Sequence, residues 1–209
     1  MVVYIVRHGQ TDYNLQGIVQ GSGVDASLNA TGRSQGQHLY DRYKEVPFEV
    51  VLTSALRRTW ETVAPFIEAG IPWEKHPEIN EMSWGDHEGK KGTPESIEEY
   101  RRIKDGWGLG KIDGRIGGGE SARELGARLQ TFIDHLPERK EKLLLICSHG
   151  RAMCGLVTLM MGRSLARMND LQHNNTGVWR ATLQADGTWD FDLQNDLSHL
   201  PAEPKMMKW

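Results

Sequence analysis

The stretch "VVYIVRHGQTDYN", Val2–Asn14, decides how the rest of the chain is read. Its first five residues are all β-branched or aromatic, the composition of a strand buried on both faces. The run then ends on Arg7 and His8, followed at once by Gly9. A strand that carries a cation and an imidazole to its carboxyl end suits an open α/β sheet, where ligands sit outside the carboxyl ends of the strands. Further strands ending in similar chemistry, separated by helices, are therefore expected.

Two such strands follow. Phe48–Thr53 reads as the second, leading into "SALRR" at 54–58. Ser54 is expected to cap a helix there, and Leu56, Trp60, Val63, Ala64 and Ile67 form an apolar stripe that places Trp60 in the core. "KLLLICSHG", 142–150, is an apolar strand over 142–147 that runs straight into a helix opened by His149. Met153, Leu156, Val157 and Met160 give that helix an inner face, and Gly162 stops it. Between these strands, Asn29 or Thr31 caps a helix running to about Tyr43. Glu120–Leu136 repeats the helical pattern through Leu125, Leu129, Phe132, Ile133 and Leu136. "GVWRATLQADGTWDFDLQ" reads as a hairpin turning at Asp186-Gly187. This alternation predicts a three-layer α/β/α sandwich with a mostly parallel central sheet.

The stretch 84–119 breaks the rhythm with one helix, capped at Thr93 with Pro94 in its first turn, and then glycine-rich loops. It is expected to be a small cap insertion, with Trp84 and Trp107 either packed inside it or lining a substrate mouth. The expected organisation is one domain over 1–197 with a loose tail over 198–209.

Composition narrows the class. The chain has 209 residues, 25% of them charged and 38% hydrophobic, as in an ordinary globular protein. A formal charge of −3 gives no footprint for nucleic acid, and no apolar run is long enough to span a membrane. A cytoplasmic location is expected, with Cys147 and Cys154 as reduced core thiols. The sequence carries no signal for oligomeric state.

If the three strand ends are neighbours, Arg7, His8, Arg57 or Arg58, and His149 converge. Arginine forks match phosphoryl oxygens, and a helix N-terminus at His149 and Gly150 also favours an anion. An imidazole among arginines has its pKa lowered, stays neutral and can attack phosphorus, which makes His8 the candidate nucleophile. Expelling an alkoxide then requires a general acid, for which Glu81, Asp86 and Glu88 all stand in one turn-rich stretch.

These residues are similar to the signatures of the histidine phosphatase superfamily, the phosphoglycerate mutase-like family. "RHGQTDYN", "VQGSGVDASLNATGRSQG", "SALRRTWET", "INEMSWGDHEG", "GGGESARELGARL" and "CSHG" occur in that family's order between Val2 and about Leu193. The resemblance implies that His8 is phosphorylated and that Arg7 and Asn14 line the phosphate pocket. It selects Arg58 over Arg57, makes Glu81 the proton donor, and makes His149, followed by Gly150, the second histidine of the pocket. Gln20 and Gly21 match a Gln-Gly pair, and Glu120-Ser121 a Glu-Ser pair near the site. The chain departs from many members at Ile18, where they carry an arginine, and at Arg151, where they carry a glycine. It also lacks the tyrosine-glycine-leucine-asparagine-lysine stretch that the family's phosphoglycerate mutases carry after their acid.

The expectation is a phosphatase that acts on a small-molecule phosphate monoester through phosphohistidine. It needs no metal or other cofactor and binds neither nucleic acid nor membrane. A phosphoglycerate mutase-type phosphoryl transferase is the alternative. Zinc held by His8, His149 and Glu81 is a further rival, opposed by the adjacent arginines, and a non-catalytic phosphate-binding module is the last. A cysteine phosphatase is excluded, because Met153 and Met160 stand where the arginine six residues after each cysteine would be. "GWGLG" at 106–110 lacks the context of a dinucleotide loop, and "DFDLQ" at 190–194 sits in a late hairpin rather than after an early strand.

Overall fold

The computed structural model describes residues 1–201. Its strands are β1 Val2–Arg7, β2 Val50–Thr53, β3 Trp73–Lys75, β4 Leu143–Ser148, β5 Val178–Leu183 and β6 Trp189–Asp196. Its helices are α1 Asp12–Gln16, α2 Ala30–Tyr43, α3 Arg57–Thr62, α4 Ala64–Glu68, α5 Pro94–Gly108, α6 Ala122–His135 and α7 Gly150–Met160. The strands form one sheet in the order β3-β2-β4-β1-β5-β6. The pairs β1·β4, β2·β4 and β2·β3 are parallel, while β5 and β6 continue the sheet antiparallel as the hairpin. Gly187, at φ +84°, makes the hairpin turn.

Alternation along the strands builds two cores. Val3, Ile5, Leu52, Leu144 and Ile146 face α6, α7 and the insertion, whereas Tyr4, Val6, Val51, Leu145 and Cys147 face α2 and α4. The result is the expected α/β/α sandwich. Leu144 and Ile146 have no exposed surface, and burial of each stabilises by roughly 1.5–3 kcal/mol. Register then sets the site: Arg7 lies opposite Ser148, and Thr53 opposite Cys147. His8, Ser54 and His149 therefore leave the sheet side by side.

Local chemistry sets the helix ends. The Asn29 side chain accepts Gly32 N–H at the start of α2, and Ser121 forms a capping box with Glu124 at the start of α6. Thr93 does the same with Ser96 at α5, with Pro94 in the first turn.

The structure corrects the sequence reading in several places. The helix expected after Ser54 is two short ones, with Leu56 rather than Ser54 at the first N-cap. Pro65 cannot donate back to Glu61, so the helix stops at Thr62 and restarts at Ala64. The restart buries Phe66 completely, while Trp60 is half-buried with its ring 6.1 Å from that of Trp73. Trp107 is fully buried and donates Nε1–H to the Gly114 carbonyl at 2.9 Å, so it anchors the insertion from inside and lines no mouth. Trp84 is buried as well, with its ring 5.9 Å from Tyr100 of α5. A loose tail does not begin at 198: His199 is buried, with its ring 6.4 Å from Tyr43. The rest of that expected tail, 202–209, lies outside the described residues.

Candidate active site

β1 delivers His8 already fixed at its backbone. Its N–H donates to the Ser148 carbonyl at 2.9 Å, and the following Gly9 N–H donates to Thr62 Oγ1 at 2.8 Å. Gly9 has to be a glycine, because a Cβ there would lie 2.6 Å from the Gly32 carbonyl oxygen of α2. The His8 ring places Nδ1 2.7 Å from the Gly9 carbonyl. A carbonyl can only accept, so Nδ1 carries the proton and Nε2 keeps its lone pair. Burial, and then Arg58 and Arg7, hold the pKa of His8 well below that of an ordinary imidazole.

The two arginines come from different elements. Arg7 ends β1 and donates from Nη1 to the His173 carbonyl at 2.8 Å. Arg58, in the first turn of α3, is completely buried. It donates from Nε to His149 Nδ1 at 3.1 Å, from Nη1 to the Val24 carbonyl at 2.6 Å and from Nη2 to the Gly21 carbonyl at 3.3 Å. Burial lowers its pKa to about 10, which still leaves it a cation at neutral pH. Arg57 points elsewhere, to Ser27 Oγ and Glu61 on the surface. Of the two arginines that the sequence offered, the geometry brings Arg58 to the site.

His149 is the N-cap of α7, with its ring 5.2 Å from that of His8. Since Arg58 donates to Nδ1, the His149 proton is on Nε2, 2.7 Å from Ser54 Oγ. Ser54 passes its own proton to Thr59 Oγ1 at 3.0 Å, and Thr59 donates to the Leu56 carbonyl at 2.7 Å. The chain of donors is complete and the ring is neutral, its pKa held down first by burial and then by Arg58. His149 has no spare N–H, so it can donate to a phosphoryl oxygen only by releasing Ser54, and in this arrangement its Nδ1 holds the Arg58 guanidinium.

Glu81 is buried where the insertion begins, and its carboxylate spans the N-terminus of α7. Oε1 accepts Met82 N–H and Ala152 N–H, each at 2.9 Å, and Oε2 accepts Arg151 N–H at 3.1 Å. Arg7 and Arg58 both feel its charge. The competing carboxylates have other work. Glu88 holds Ser83, Trp84 N–H and Gly23 N–H, which ties the insertion to the 21–23 loop, and Asp86 lies within the insertion, where its N–H donates to the Gly117 carbonyl at 2.9 Å.

The remaining expected residues lie around this centre. Asn14 Oδ1 accepts Thr11 N–H at 3.1 Å, and Gln20 Oε1 accepts Thr11 Oγ1–H at 3.0 Å. Gly21 supplies the carbonyl to Arg58, and Gly150 opens α7 against the Arg7 guanidinium. Ser121 is a helix cap, and Glu120 pairs with Arg128 at 2.6 Å. Arg128 in turn donates to the carbonyls of Glu78, Asn80 and Glu81, fixing the Glu81 loop. At the Arg151 departure the guanidinium reaches Tyr100 Oη at 2.6 Å and Asn169 Oδ1 at 3.0 Å. At the other departure, the Ile18 backbone bridges to Lys91 of the insertion.

Sequence reasoning missed Ser54 as a histidine partner, along with Thr62, Arg128 and Asn175, whose Nδ2 donates to the His8 carbonyl at 2.8 Å. None of these carries a spacing signal, because each acts through a contact that exists only after folding. The rejected motifs take no part: burial pushes the Cys147 thiol far up, and Asp192 pairs with Arg180 on the hairpin. Among the described residues, no three His, Cys, Asp or Glu side chains converge as metal ligands.

Known proteins resemble the chain over nearly its whole length. The chain is 32% identical over 213 residues to "Probable phosphoglycerate mutase GpmB" of Enterobacter sp. (strain 638), covering 96% of this chain and 95% of that protein. The crystal structure of the alpha-ribazole phosphatase from Shigella flexneri superposes with a TM-score of 0.82 at 24% identity, covering 94% of this chain and 96% of that one. YhfR of Bacillus stearothermophilus gives 0.80 at 25% identity, with 95% and 98% covered. The family model for the histidine phosphatase superfamily (branch 1) matches residues 3–197. A sheet that ends in Arg7-His8 beside His149, with a match that runs almost from end to end, places this chain in the histidine phosphatase superfamily.

Proposed function

We propose that the chain hydrolyses small-molecule phosphate monoesters through a phosphohistidine at His8, without a metal ion. The observation that carries this reading is the His8 ring, neutral and tied at Nδ1 to Gly9, with Nε2 unengaged beside Arg7 and Arg58. In the first step Nε2 forms a bond to phosphorus as the ester P–O bond breaks, and the Glu81 carboxylate takes the proton carried in by the monoanionic ester and hands it to the departing oxygen. In the second, water adds to phosphorus and Glu81 takes its proton. The N–P bond then breaks, and inorganic phosphate leaves His8 neutral. Arg7, Arg58 and the Asn14 amide offset charge on the phosphoryl oxygens, His149 keeps Arg58 aimed, and Gln20, Gly21 and Gly150 shape the walls.

Labelled substrate, quenched in alkali, is expected to leave phosphate on the protein, because phosphohistidine survives base. His8→Ala should lose both label and turnover, and turnover that persists in it would overturn the mechanism. Exhaustive chelation should leave activity unchanged; loss restored by one metal would favour the zinc rival.

Relatives named as phosphoglycerate mutases favour a second reading, mutase chemistry on the same phosphohistidine. Two features support the phosphatase: "WGDHEG" at 84–89 stands where the mutase stretch would be, and proteins of similar fold include an alpha-ribazole phosphatase and a mycobacterial glucosyl-3-phosphoglycerate phosphatase. With 3-phosphoglycerate and a trace of 2,3-bisphosphoglycerate, slow phosphate release or none is expected. Rapid formation of 2-phosphoglycerate would select the mutase.

A further inference from the structure

The turn between α7 and β5 grips the residue pair proposed to do the chemistry. Thr176 N–H donates to the Arg7 carbonyl at 2.9 Å, Gly177 accepts Arg7 N–H at 3.4 Å, and the His173 carbonyl takes Arg7 Nη1. Within this turn Asn175 is buried, and its Nδ2 donates to the His8 carbonyl at 2.8 Å and, at 3.5 Å, to Asn14 Oδ1. Thr176 is held at φ +54°, a conformation that a β-branched residue rarely adopts and that costs about 1–3 kcal/mol. Its hydroxyl donates to the Asn175 carbonyl at 2.8 Å and accepts from His199 Nε2 at 3.1 Å. A strained turn, braced from a third segment, points one amide at the nucleophile.

We infer that Asn175 is a positioning residue for the reaction: it fixes the peptide on which the His8 ring turns and sets which end of the Asn14 amide meets the phosphoryl group. Asn14 Oδ1 accepts from both Thr11 N–H and Asn175, so its NH₂ is the end left for the substrate. Both effects require position 175 to donate. An isosteric acceptor there would face two oxygens, repel the His8 carbonyl and invite Asn14 to flip.

The inference rests on the phosphohistidine reading, and Asn175→Asp tests it separately. This variant keeps the shape of the side chain and reverses its hydrogen bonding until the new carboxyl is protonated. The charged and titratable groups around position 175 are Arg7 at the end of β1, His8 just after it, His173 in its own turn and His199 in the C-terminal segment. All are shared with the unmodified protein, so the ratio of the two kcat/KM values isolates the new group. At pH 8, Asn175→Asp and Asn175→Ala should both lose about 10- to 100-fold, mostly in kcat. As pH falls to 5 the Asp ratio should recover severalfold, while the Ala ratio stays flat. A flat Asp ratio, or an Ala variant within twofold of the unmodified protein, overturns the inference. So would an Asp variant that does not fold at any pH from 5 to 8, since Asn175 would then serve the fold rather than His8. If the unmodified protein takes no label on His8, the phosphohistidine reading fails instead.

Discussion

At the scale of single residues, the site depends on keeping two histidines uncharged. His8 and His149 are buried beside Arg58, so in an NMR titration of their Cε1–H resonances neither should move between pH 8 and 5, whereas a histidine peptide shifts near 6.5. A midpoint near 6.5 at His8 would mean that the nucleophile is protonated in mild acid. Glu81 makes a complementary prediction. Glu81→Gln should cost roughly 10²–10⁴ on an alkyl phosphate, the usual scale of general acid–base help. It should cost far less in the phosphorylation step with p-nitrophenyl phosphate, whose leaving group needs no proton, so phosphoenzyme accumulates as a burst of nitrophenol. Equal losses without a burst would assign Glu81 to positioning. The sequence made Arg7, His8 and His149 legible because each follows an apolar strand directly. It left Glu81 level with Asp86 and Glu88, because what separates them is the three backbone N–H groups that meet Glu81 in space.

At the scale of elements, Arg151 couples α7 to the insertion. Its backbone holds Glu81, and its side chain reaches Tyr100 of α5 and Asn169, which itself donates to the Lys104 carbonyl. Arg151→Ala should lower stability by about 1–3 kcal/mol in urea denaturation, since it leaves two polar partners unpaired. It should also reduce turnover of a substrate with a bulky leaving group more than that of a small aryl phosphate. Equal turnover of both would separate the insertion from the site. The apolar periods made α6 and α7 legible, and the Thr93 cap was legible too, whereas at α2 the sequence left Asn29 level with Thr31 and the contact to Gly32 N–H decides for Asn29. The helix after β2 was not, because the apolar stripe through Leu56 and Ile67 ignores the donor that Pro65 lacks. Trp107 escaped for a different reason: its partner, the Gly114 carbonyl, lies in a loop without periodicity.

For the whole molecule, neutral buried histidines set an acid limit. The native pKa falls to about 3 at His173 and about 4 at His199, and lies well below 6.5 at His8 and His149, in each case chiefly through burial. Below pH 6.5 the unfolded chain therefore binds protons that the native state refuses. Stability is complete above about 6.5 and declines as pH falls below it, by up to about 1.4 kcal/mol per pH unit for each of His8, His149 and His173. The urea midpoint should fall clearly from pH 7 to 5, a window above that of the carboxylates. An unchanged midpoint would mean that these rings are not held neutral. Alternation along the chain made the three layers legible, but the strand order was not, because β1 pairs with segments far away in sequence. That order has a consequence for synthesis. β1 lies between β4 and β5, so Val2 waits for Leu143 and Thr182. At ordinary translation speeds of about 5–20 residues per second, the first apolar strand leaves the ribosome roughly 7–28 s before its earlier partner exists. Throughout that interval the nascent chain carries its proposed nucleophile on an unpaired, adhesive segment, exposed to chaperones and without its second histidine.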